Sequence, residues 1–368
     1  MAFSFLTVWF TIDTGTVFMR NGVIVIPAYQ PNHKLIYIAH ELKQAGFPKI
    51  IVVDDGSGPE YQTIFSALEI DCKVIHHEQN QGKGAALKTG YCYYLTHIDE
   101  YPWVIAMDAD GQHSVDDVIK MDDTMANGEE GVYIGVRDLN DENFPPSRKA
   151  FVFATRLTFK SFYGTDIKDT ESGLRGIYKV FLPFMLDASG ERFEYETNAL
   201  MEAIHYHFPI FEVPIQTIFF KEDNVTHFNP VRDALKTQLQ LFREFIKYSI
   251  TSLIASAIDI AIYTVLNLLL GKFPDAIRIF GATIVARIIS ATANYMFNRQ
   301  VVFQCHENNG PTMVKYFLMV IIQMICSATM VYFLSKVVSI PSSFIKIATD
   351  TILFFVFYRV QKLWVFKN

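Results

Sequence analysis

The stretch Trp103–His113 (WVIAMDADGQH) places an acidic motif directly after a short apolar run. The run has the length and composition of a strand buried in a sheet. Side chains alternate along an extended strand, so Asp108, Asp110 and Gln112 are expected to point to the same side. Because three oxygen donors at one point suit a hard cation, the motif predicts a site for Mg²⁺ or Mn²⁺ formed by these three residues.

Segments of strand and helix character alternate around this motif. Strands are expected at residues 23–26, 50–53, 73–77, 103–107, 132–136 and 210–218, and helices at 32–45, at 84–97 and before about residue 207. This alternation predicts an α/β fold with a mainly parallel sheet and helices on both faces. Ligands of such sheets bind at the carboxyl ends of the strands. Pro27, Asp54, Asp55 and Arg137 also fall at these ends.

The residues at these strand ends are suited to binding a nucleotide sugar. Tyr29 can pack against a base or ribose, and Asp54 and Asp55 can accept hydrogen bonds from a uracil N–H and from ribose hydroxyls. Arg137 can clamp a diphosphate beside the metal. Two alternatives stay open here: Tyr29 as an ordinary loop aromatic, and the Asp–Gly pair at 55–56 as a simple turn.

The segment Asn80–Gly84 (NQGKG) has the composition of a phosphate loop that opens a helix. Lys83 within it is expected either to meet a phosphate or to be solvated. The sequence contains no G-x-x-x-x-G-K-[ST] motif, and no G-x-G-x-x-G follows the first strand. This counts against an ATPase and against a dinucleotide-dependent dehydrogenase.

A second polar cluster, Asp169–Gly176 (DTESGLRG), lies downstream, between segments of helical character. A carboxylate here can orient or deprotonate an acceptor, and Arg175 can hold an acceptor phosphate. Glu194 and Glu196, which follow, can bind sugar hydroxyls or Arg175. The alternatives are a polar loop tied by its own salt bridge and acidic residues at a helix N-terminus.

Composition limits the class of protein. The chain has 368 residues, of which 51% are hydrophobic, and its formal net charge is −6. Such a balance argues against a general nucleic-acid binder and indicates a membrane portion. The four cysteines have neither zinc spacing nor a C-x-x-C pair, so free thiols are expected.

The chain changes character near residue 245, where long apolar stretches begin. Four membrane spans are predicted, at about 248–270, 279–297, 314–334 and 344–365. The preceding segment, 229–247, has the spacing of an amphipathic helix at a membrane surface. Residues 1–21 are expected to be a loose extension, with Met19 as a second possible start.

The second and the fourth predicted spans end in related sequences. Tyr295-x-x-Asn298-Arg299 in one corresponds to Tyr358-x-x-Gln361-Lys362 in the other, which predicts two related helical hairpins. Asp259, Arg287 and Asp350 fall within the spans, where charge is costly, and pairing is the favoured explanation.

Five motifs in order resemble those of family 2 glycosyltransferases, and within them the dolichyl-phosphate mannose synthase or polyprenyl-phosphate glycosyltransferase branch. The motifs are Ile26–Tyr29, Val53–Ser57, Asn80–Gly84, Asp108–His113 and Asp169–Arg175. The resemblance spans about residues 22–228, and the four spans with their repeated ending resemble the GtrA-like membrane family. It implies a GT-A fold, an inverting reaction, a nucleotide-sugar donor and a polyprenyl phosphate acceptor.

By this resemblance the acidic motif would hold the metal, and Asp169, Arg175 and Asp110 would form the catalytic set. Gln30 stands where the family usually has Glu, and keeps an acceptor oxygen but not the charge. The nucleotide sugar would be bound by residues of several motifs: Pro27, Tyr29, Gln30, Val53, Asp54, Asp55, Lys83, Asp108, Ala109, Asp110 and Arg137.

The sequence therefore predicts a multi-pass membrane enzyme with a GT-A domain at 22–228 and a membrane domain at 248–368. It is expected to transfer one sugar from a UDP- or GDP-sugar, with UDP-glucose or UDP-GlcNAc preferred, to undecaprenyl phosphate at the cytosolic face. The product would serve cell-wall or surface polysaccharide glycosylation, and a homo-oligomer is possible. The alternatives are a glycolipid synthase with another lipid acceptor and a non-catalytic flippase of lipid-linked sugars.

Overall fold

The computed structural model describes residues 19–142, 144–218, 242–305, 308–337 and 341–366. Contacts divide the chain into two units, Met1–Thr237 and Gln238–Asn368, here called the sheet unit and the helical unit. The expected extension before residue 19 and the amphipathic helix before residue 242 lie outside the described residues. The predicted boundary between residues 228 and 248 therefore stays a prediction.

A seven-stranded sheet forms the centre of the sheet unit. Its spatial order is β3-β2-β1-β4-β6-β5-β7, and every pairing is parallel except those of β6 with β4 and β5. This confirms the α/β fold with a mainly parallel sheet. The strands are β1 Gly22–Ala28, β2 Ile50–Asp54, β3 Lys73–His76, β4 Trp103–Ala106, β5 Val132–Arg137, β6 Arg175–Tyr178 and β7 Ile210–Ile215.

Helices cover both faces of this sheet. Ile24 and Ile26 of β1 share a buried cluster with Leu35 and Leu42 of α1, whereas the next side chain, Val25, faces α3. Both faces of β1 are thus apolar, as a parallel core strand requires. The helices are α1 Lys34–Gln44, α2 Gln62–Leu68, α3 Lys83–His97, α4 Val115–Asn127, α5 Pro146–Thr158, α6 Leu182–Asp187 and α7 Glu194–His205.

Strand β6 was not predicted. It is only four residues long, and its apolar pattern is too short to show a period of two. Because β6 runs antiparallel between β4 and β5, its first residue lies at their carboxyl ends: Arg175 is in register with Ala106 and with Ile134. The polar cluster before it is thereby brought to the edge of the sheet where the acidic motif lies.

The helical unit contains α8 Arg243–Leu269, α9 Asp275–Phe297, α10 Asn309–Val337 and α11 Ser342–Val360. Within the described residues, three segments are long and apolar enough to cross a bilayer: Phe245–Leu269, Ile279–Val302 and Asn309–Val337. Helix α11 coincides with the fourth predicted span but is not among these three. Many large apolar side chains on these helices are exposed, as a lipid-facing surface would be.

The two related sequence endings form a pseudo-symmetric pair in the helical unit. Helices α9 and α11 each continue into one π-helical turn, Asn298–Val302 and Gln361–Val365. Their equivalent residues contact each other reciprocally. Tyr295 packs on Phe366 with ring centroids 5.7 Å apart, and Tyr358 packs on Phe303 at 5.8 Å.

Asp259, Arg287 and Asp350, which the sequence placed in the predicted spans, are each in an ion pair. Arg287 lies 3.4 Å from Asp259, whose other oxygen accepts a hydrogen bond from Ser290. Asp350 lies 2.6 Å from Lys346 and accepts a hydrogen bond from Ser327.

Candidate active site

A cavity of about 1060 Å³ opens at the carboxyl ends of the strands in the sheet unit. It brings together residues from all five predicted motifs, which lie far apart along the chain. Among the described residues, five cationic side chains line it, namely Lys83, Arg137, Arg148, Arg175 and Arg192. Six carboxylates of the described part of the chain also line it, namely Asp55, Asp108, Asp110, Glu142, Glu171 and Glu196.

The end of β1 forms one wall. Pro27, Tyr29 and Gln30 all line the cavity, as predicted. Gln30 has a φ of +50°, and its backbone N–H donates to the hydroxyl of Ser57 at 2.8 Å. This bond holds the turn after β1 against the loop after β2, so the two strand ends form a continuous surface.

Asp55 is buried and holds a neighbouring loop in shape. It accepts hydrogen bonds from the backbone N–H of Gln81 at 2.9 Å and of Gly82 at 2.7 Å, and from His77 at 2.8 Å. Its lone pairs are thus largely used within the protein. A carboxylate at this position orients the phosphate-type loop, in addition to lining the cavity.

Two residues predicted to bind the nucleotide sugar do not line the cavity. Val53 lies within β2 and is fully buried. Asp54 accepts hydrogen bonds from the backbone N–H of Ser57 and from His76. Both residues directly precede Asp55 in the sequence. They are the last residues of β2, which is buried on both faces, so their side chains lie inside the protein.

Lys83 begins α3 and joins two carboxylates. Its ammonium lies 2.6 Å from Asp108 and 2.7 Å from Glu196. Burial opposes the charge on Lys83, but the two carboxylates outweigh burial and raise its pKa. Gly82 before it has a φ of +110°, and a Cβ there would lie 2.4 Å from the carbonyl oxygen of Glu191. The loop therefore requires glycine at this position.

The acidic motif is a turn and not an extended strand end. Strand β4 ends at Ala106, and Gly111 has a φ of +80°, so the predicted reason for the convergence, strand alternation, is wrong. The turn is closed by the backbone N–H of Gln112, which donates to Asp110 at 2.9 Å. Asp108, Ala109, Asp110 and Gln112 nevertheless all line the cavity.

The two carboxylates of this turn influence each other. Burial, and then the negative charge of Asp108, raise the pKa of Asp110. Burial opposes ionisation of Asp108 as well, but Lys83 and His113 outweigh it and hold its pKa well below the usual range. The backbone of Gly173 packs closely against the carboxylate of Asp108. A Cβ at residue 173 would lie 2.4 Å from Oδ2 of Asp108.

The donor set fits Mg²⁺ or Mn²⁺. Asp108, Asp110 and Gln112 present oxygen ligands, and a cation between them would relieve the repulsion that raises the pKa of Asp110. Among the described residues no three His, Cys, Asp or Glu side chains form a metal-type group. Two carboxylates and an amide would leave coordination positions for phosphate oxygens.

Asp169 and Arg137 form a closed pair behind the cavity wall. Arg137 donates to both carboxylate oxygens of Asp169, at 2.7 and 3.1 Å. Asp169 is fully buried and does not line the cavity, although it was predicted to act on the acceptor. Arg137 does line it, with its guanidinium 5.3 Å from the ring centroid of Phe144. Asp169 therefore positions Arg137, which reaches the cavity.

Arg175 is held mainly by backbone carbonyls. It donates to the oxygens of Ser172 at 3.2 Å, Thr170 at 3.0 Å and Glu196. These bonds fix the loop before β6 to the start of α7. Arg175 lines the cavity, so it can contact an anion while it holds these two segments together.

Several cavity residues were not among the predicted site residues, and three of them are charged residues beside the predicted ones: Arg148, Glu171 and Arg192. Arg148 lies in the first turn of α5, and burial followed by the charge of Arg137 lowers its pKa. Two neighbouring guanidinium groups destabilise each other, so this wall favours an anionic ligand. A basic residue two positions after Pro146 was the available signal, because proline is common at the first position of a helix.

Comparisons with known proteins agree with this arrangement. Residues 23–181 match the model of glycosyl transferase family 2, and residues 247–366 match that of the GtrA/DPMS transmembrane domain. A UDP-N-acetylglucosamine–dolichyl-phosphate N-acetylglucosaminyltransferase of Methanococcus voltae is 32% identical over 219 residues, covering 53% of this chain and 85% of the relative. A polyprenol monophosphomannose synthase of Mycolicibacterium smegmatis is 27% identical and covers 53% and 77%.

Among solved structures, glucosyl-3-phosphoglycerate synthase from Mycobacterium tuberculosis, in complex with Mn²⁺, UDP and glucosyl-3-phosphoglycerate, is similar at 15% identity. The match has a TM-score of 0.47 and covers 60% of this chain and 80% of that one.

The fold and the cavity define a sugar-transferring enzyme. The extent of the match to the Methanococcus voltae relative shows the family: the chain belongs to glycosyl transferase family 2 and carries a GtrA/DPMS transmembrane domain. It is a membrane protein with glycosyltransferase activity, as the resemblance in its motifs predicted.

Proposed function

We propose that this glycosyltransferase transfers one sugar, with inversion, from a UDP-sugar to a polyprenyl phosphate. The observation that carries the proposal is the composition of one cavity. Carboxylate and amide oxygens of the 108–112 turn lie on the same cavity as Lys83, Arg137, Arg148 and Arg192. The donor brings a diphosphate and the acceptor a further phosphate, and a wall of several cations can balance both.

The residues of this cavity have separable roles in that reaction. Lys83 and Arg137 bind donor phosphates, and Arg148 holds an anion beside them. Asp169 keeps Arg137 in place through the two hydrogen bonds between them. A divalent cation bound by Asp108, Asp110 and Gln112 would neutralise charge on the departing nucleoside diphosphate. The protein's further contribution is in-line positioning of the acceptor phosphate against the anomeric carbon.

Two named relatives support the choice of acceptor. One is a dolichyl-phosphate N-acetylglucosaminyltransferase and the other a polyprenol monophosphomannose synthase. We prefer UDP-GlcNAc or UDP-glucose as donor, with GDP-sugars as the alternative. We further propose that the sheet unit faces the cytosol, because nucleotide sugars are made there, and that the product supplies cell-wall or surface polysaccharide glycosylation.

The test uses the full-length chain in membranes with a panel of radiolabelled UDP- and GDP-sugars. Undecaprenyl phosphate, dolichyl phosphate and diacylglycerol are supplied in separate reactions, with Mg²⁺, Mn²⁺ or EDTA. We expect metal-dependent label on a polyprenyl phosphate with one donor, and none with Asp110→Ala. Label on diacylglycerol instead would make the protein a glycolipid synthase. No transfer with any pair, together with translocation of sugar-lipid by the Asp110→Ala variant, would support a flippase.

A further inference from the structure

His113 is the last residue of the acidic motif and is not one of the expected metal ligands. Its side chain lines the cavity, although the residue is only 4% exposed. The ring atom Nε2 lies 3.8 Å from Oδ2 of Asp108. The other ring nitrogen, Nδ1, is buried and has no hydrogen-bond partner among the described residues. One edge of the ring thus faces an expected metal ligand, and the other edge is left without a partner.

The start of α4 fixes the backbone next to His113. Ser114 caps this helix, because its hydroxyl accepts a hydrogen bond from the backbone N–H of Asp117 at 3.1 Å and donates to the Asp117 carboxylate at 2.8 Å. That carboxylate also accepts from the backbone N–H of Gln216, directly after β7, at 3.1 Å. A ring attached immediately before a capped helix that is tied to the sheet can hold a neighbouring group in a defined orientation.

Packing does not account for a histidine at this position. A buried ring nitrogen without a partner destabilises the fold, and an apolar side chain of similar size would avoid that cost. The ring is not needed as a counter-charge for Asp108 either, since Lys83 already lies 2.6 Å from Oδ1 of that carboxylate. His113 adds a contact with the second oxygen, Oδ2, from a different segment of the chain.

This contact becomes important when a ligand shares Lys83. In the proposed function Lys83 binds donor phosphates, which weakens the hold of its ammonium on Asp108. The carboxylate would then be free to rotate, and a metal ligand that rotates binds its cation less tightly. An N–H on Nε2 that bonds to Oδ2 prevents this rotation. A movement of about 1 Å closes the separation of the two atoms to hydrogen-bond distance.

We propose that His113 is a positioning residue, which donates a hydrogen bond from Nε2 to Oδ2 of Asp108 and so holds this carboxylate in the orientation that binds Mg²⁺ or Mn²⁺. The inference rests on the proposed function and adds to it a residue that acts on the metal site through a ligand. In this role His113 touches neither the cation nor a substrate.

The experiment measures the affinity of the full-length protein in detergent for Mn²⁺, alone and together with UDP, from the EPR signal of the free ion. His113→Leu removes both ring nitrogens, and His113→Asn carries its amide nearer the backbone, at the position of Nδ1. Both variants should raise the Kd for Mn²⁺ by about 10- to 100-fold. His113→Gln should return the Kd close to the wild-type value, because its amide nitrogen is a donor that extends as far from Cβ as Nε2 does.

Thermal unfolding of each variant separates this role from a structural one. His113→Leu should unfold no more easily than wild type, because it loses the unpaired nitrogen. His205→Asn, at the exposed end of α7, is the matched control and should leave both the Kd and the unfolding midpoint unchanged.

Equal Kd values in wild type and all three His113 variants would overturn the proposal. A rise in Kd that is matched by a loss of stability, or that His113→Gln does not reverse, would overturn it as well. Pulsed EPR that detects a nitrogen bound directly to Mn²⁺ in wild type, but not in His113→Leu, would make His113 a ligand instead of a positioning residue. Failure of the proposed function is a separate result, because wild type would then bind Mn²⁺ but label no polyprenyl phosphate.

Discussion

The two units of this chain bury polar side chains of different kinds. Within the described residues of the helical unit, every buried polar side chain is neutral: Thr251, Ser290, Asn298, Thr312, Ser327, Thr349 and Gln361. The sheet unit instead buries several ionisable groups, among them Asp55, Arg137, Asp169 and Arg175. Because burying a charge costs far more than burying an amide, its retention in the sheet unit calls for a compensating partner.

The two units also differ in how their buried polar groups are stabilised. In the helical unit, Asn298 accepts a hydrogen bond from Thr251 and donates to Gln361, which in turn donates to Tyr248. The polar groups of this cluster are hydrogen-bonded to one another, so the cluster stabilises the packing of the helices. In the sheet unit the charges converge on a cavity, where burial and then the charge of Asp108 raise the pKa of Asp110, and a bound cation would counteract this rise. Buried polarity therefore indicates binding in one unit and packing in the other.

The largest expected effect tests the binding side of this comparison. Asp110→Asn should lower sugar transfer by about 1000-fold, because one ligand of the expected cation is lost. Stability should not fall, since the substitution removes a carboxylate that its neighbour disfavours. Transfer assays and thermal unfolding in detergent measure the two quantities. Asp187→Asn, at the exposed end of α6, is the matched control. A large loss of stability in Asp110→Asn would show that the turn is structural.

Asp169→Asn should lower both the stability of the protein and its rate of sugar transfer. The change leaves the buried guanidinium of Arg137 without its counter-charge, which costs about 3–5 kcal/mol of unfolding free energy. Transfer should fall at every pH, because Arg137 loses the carboxylate that positions it in the cavity wall. Denaturant unfolding of the full chain gives the first quantity and a pH series the second. Wild-type stability in this variant would mean that the pair contributes little to folding.

The titration of Glu171 predicts a pH dependence of stability. Its pKa is about 7 in the folded protein and 4.5 when unperturbed, so the stability present below pH 4.5 is lost as the pH rises through 7. Glu171→Gln escapes this loss. It should match wild type near pH 4.5 and exceed it at pH 8 by up to about 3 kcal/mol. Unfolding midpoints at the two pH values check this, and equal midpoints at pH 8 would contradict it.

A smaller effect is expected from a glycine that shapes the acidic turn. A Cβ at residue 173 would lie 2.4 Å from Oδ2 of Asp108, so Gly173→Ala should displace that carboxylate and lower transfer by about 10- to 100-fold. Gly281→Ala is the matched control, because a Cβ there meets nothing within 4 Å. If the two alanine variants transfer sugar equally well, the position of Asp108 is less critical than the cavity suggests.

The sequence predicted the units and the motifs better than the geometry within them. Asp108, Asp110, Gln112 and Tyr29 reach the cavity as expected, since parallel strands bring their carboxyl ends to one edge. The role of Asp169 did not follow from sequence, because its side chain pairs with Arg137 behind the cavity wall, and no pattern in the loop before β6 shows this contact. Arg148 was missed for a similar reason: a helix that lines a cavity has no pattern distinct from one on the surface.

The smallest expected effect tests the packing side of the comparison. Asn298→Ala removes one of the two acceptors of the Thr251 hydroxyl, which keeps its bond to the carbonyl of Tyr248, and leaves the buried amide oxygen of Gln361 without its donor. This should destabilise the helical unit by about 1–3 kcal/mol. Because the cluster lies in the helical unit and the cavity lies in the sheet unit, kcat should stay at the wild-type value in detergent at temperatures below the unfolding transition. A fall in kcat without a fall in stability would show that this neutral cluster takes part in the reaction, and the contrast between the two units would then fail.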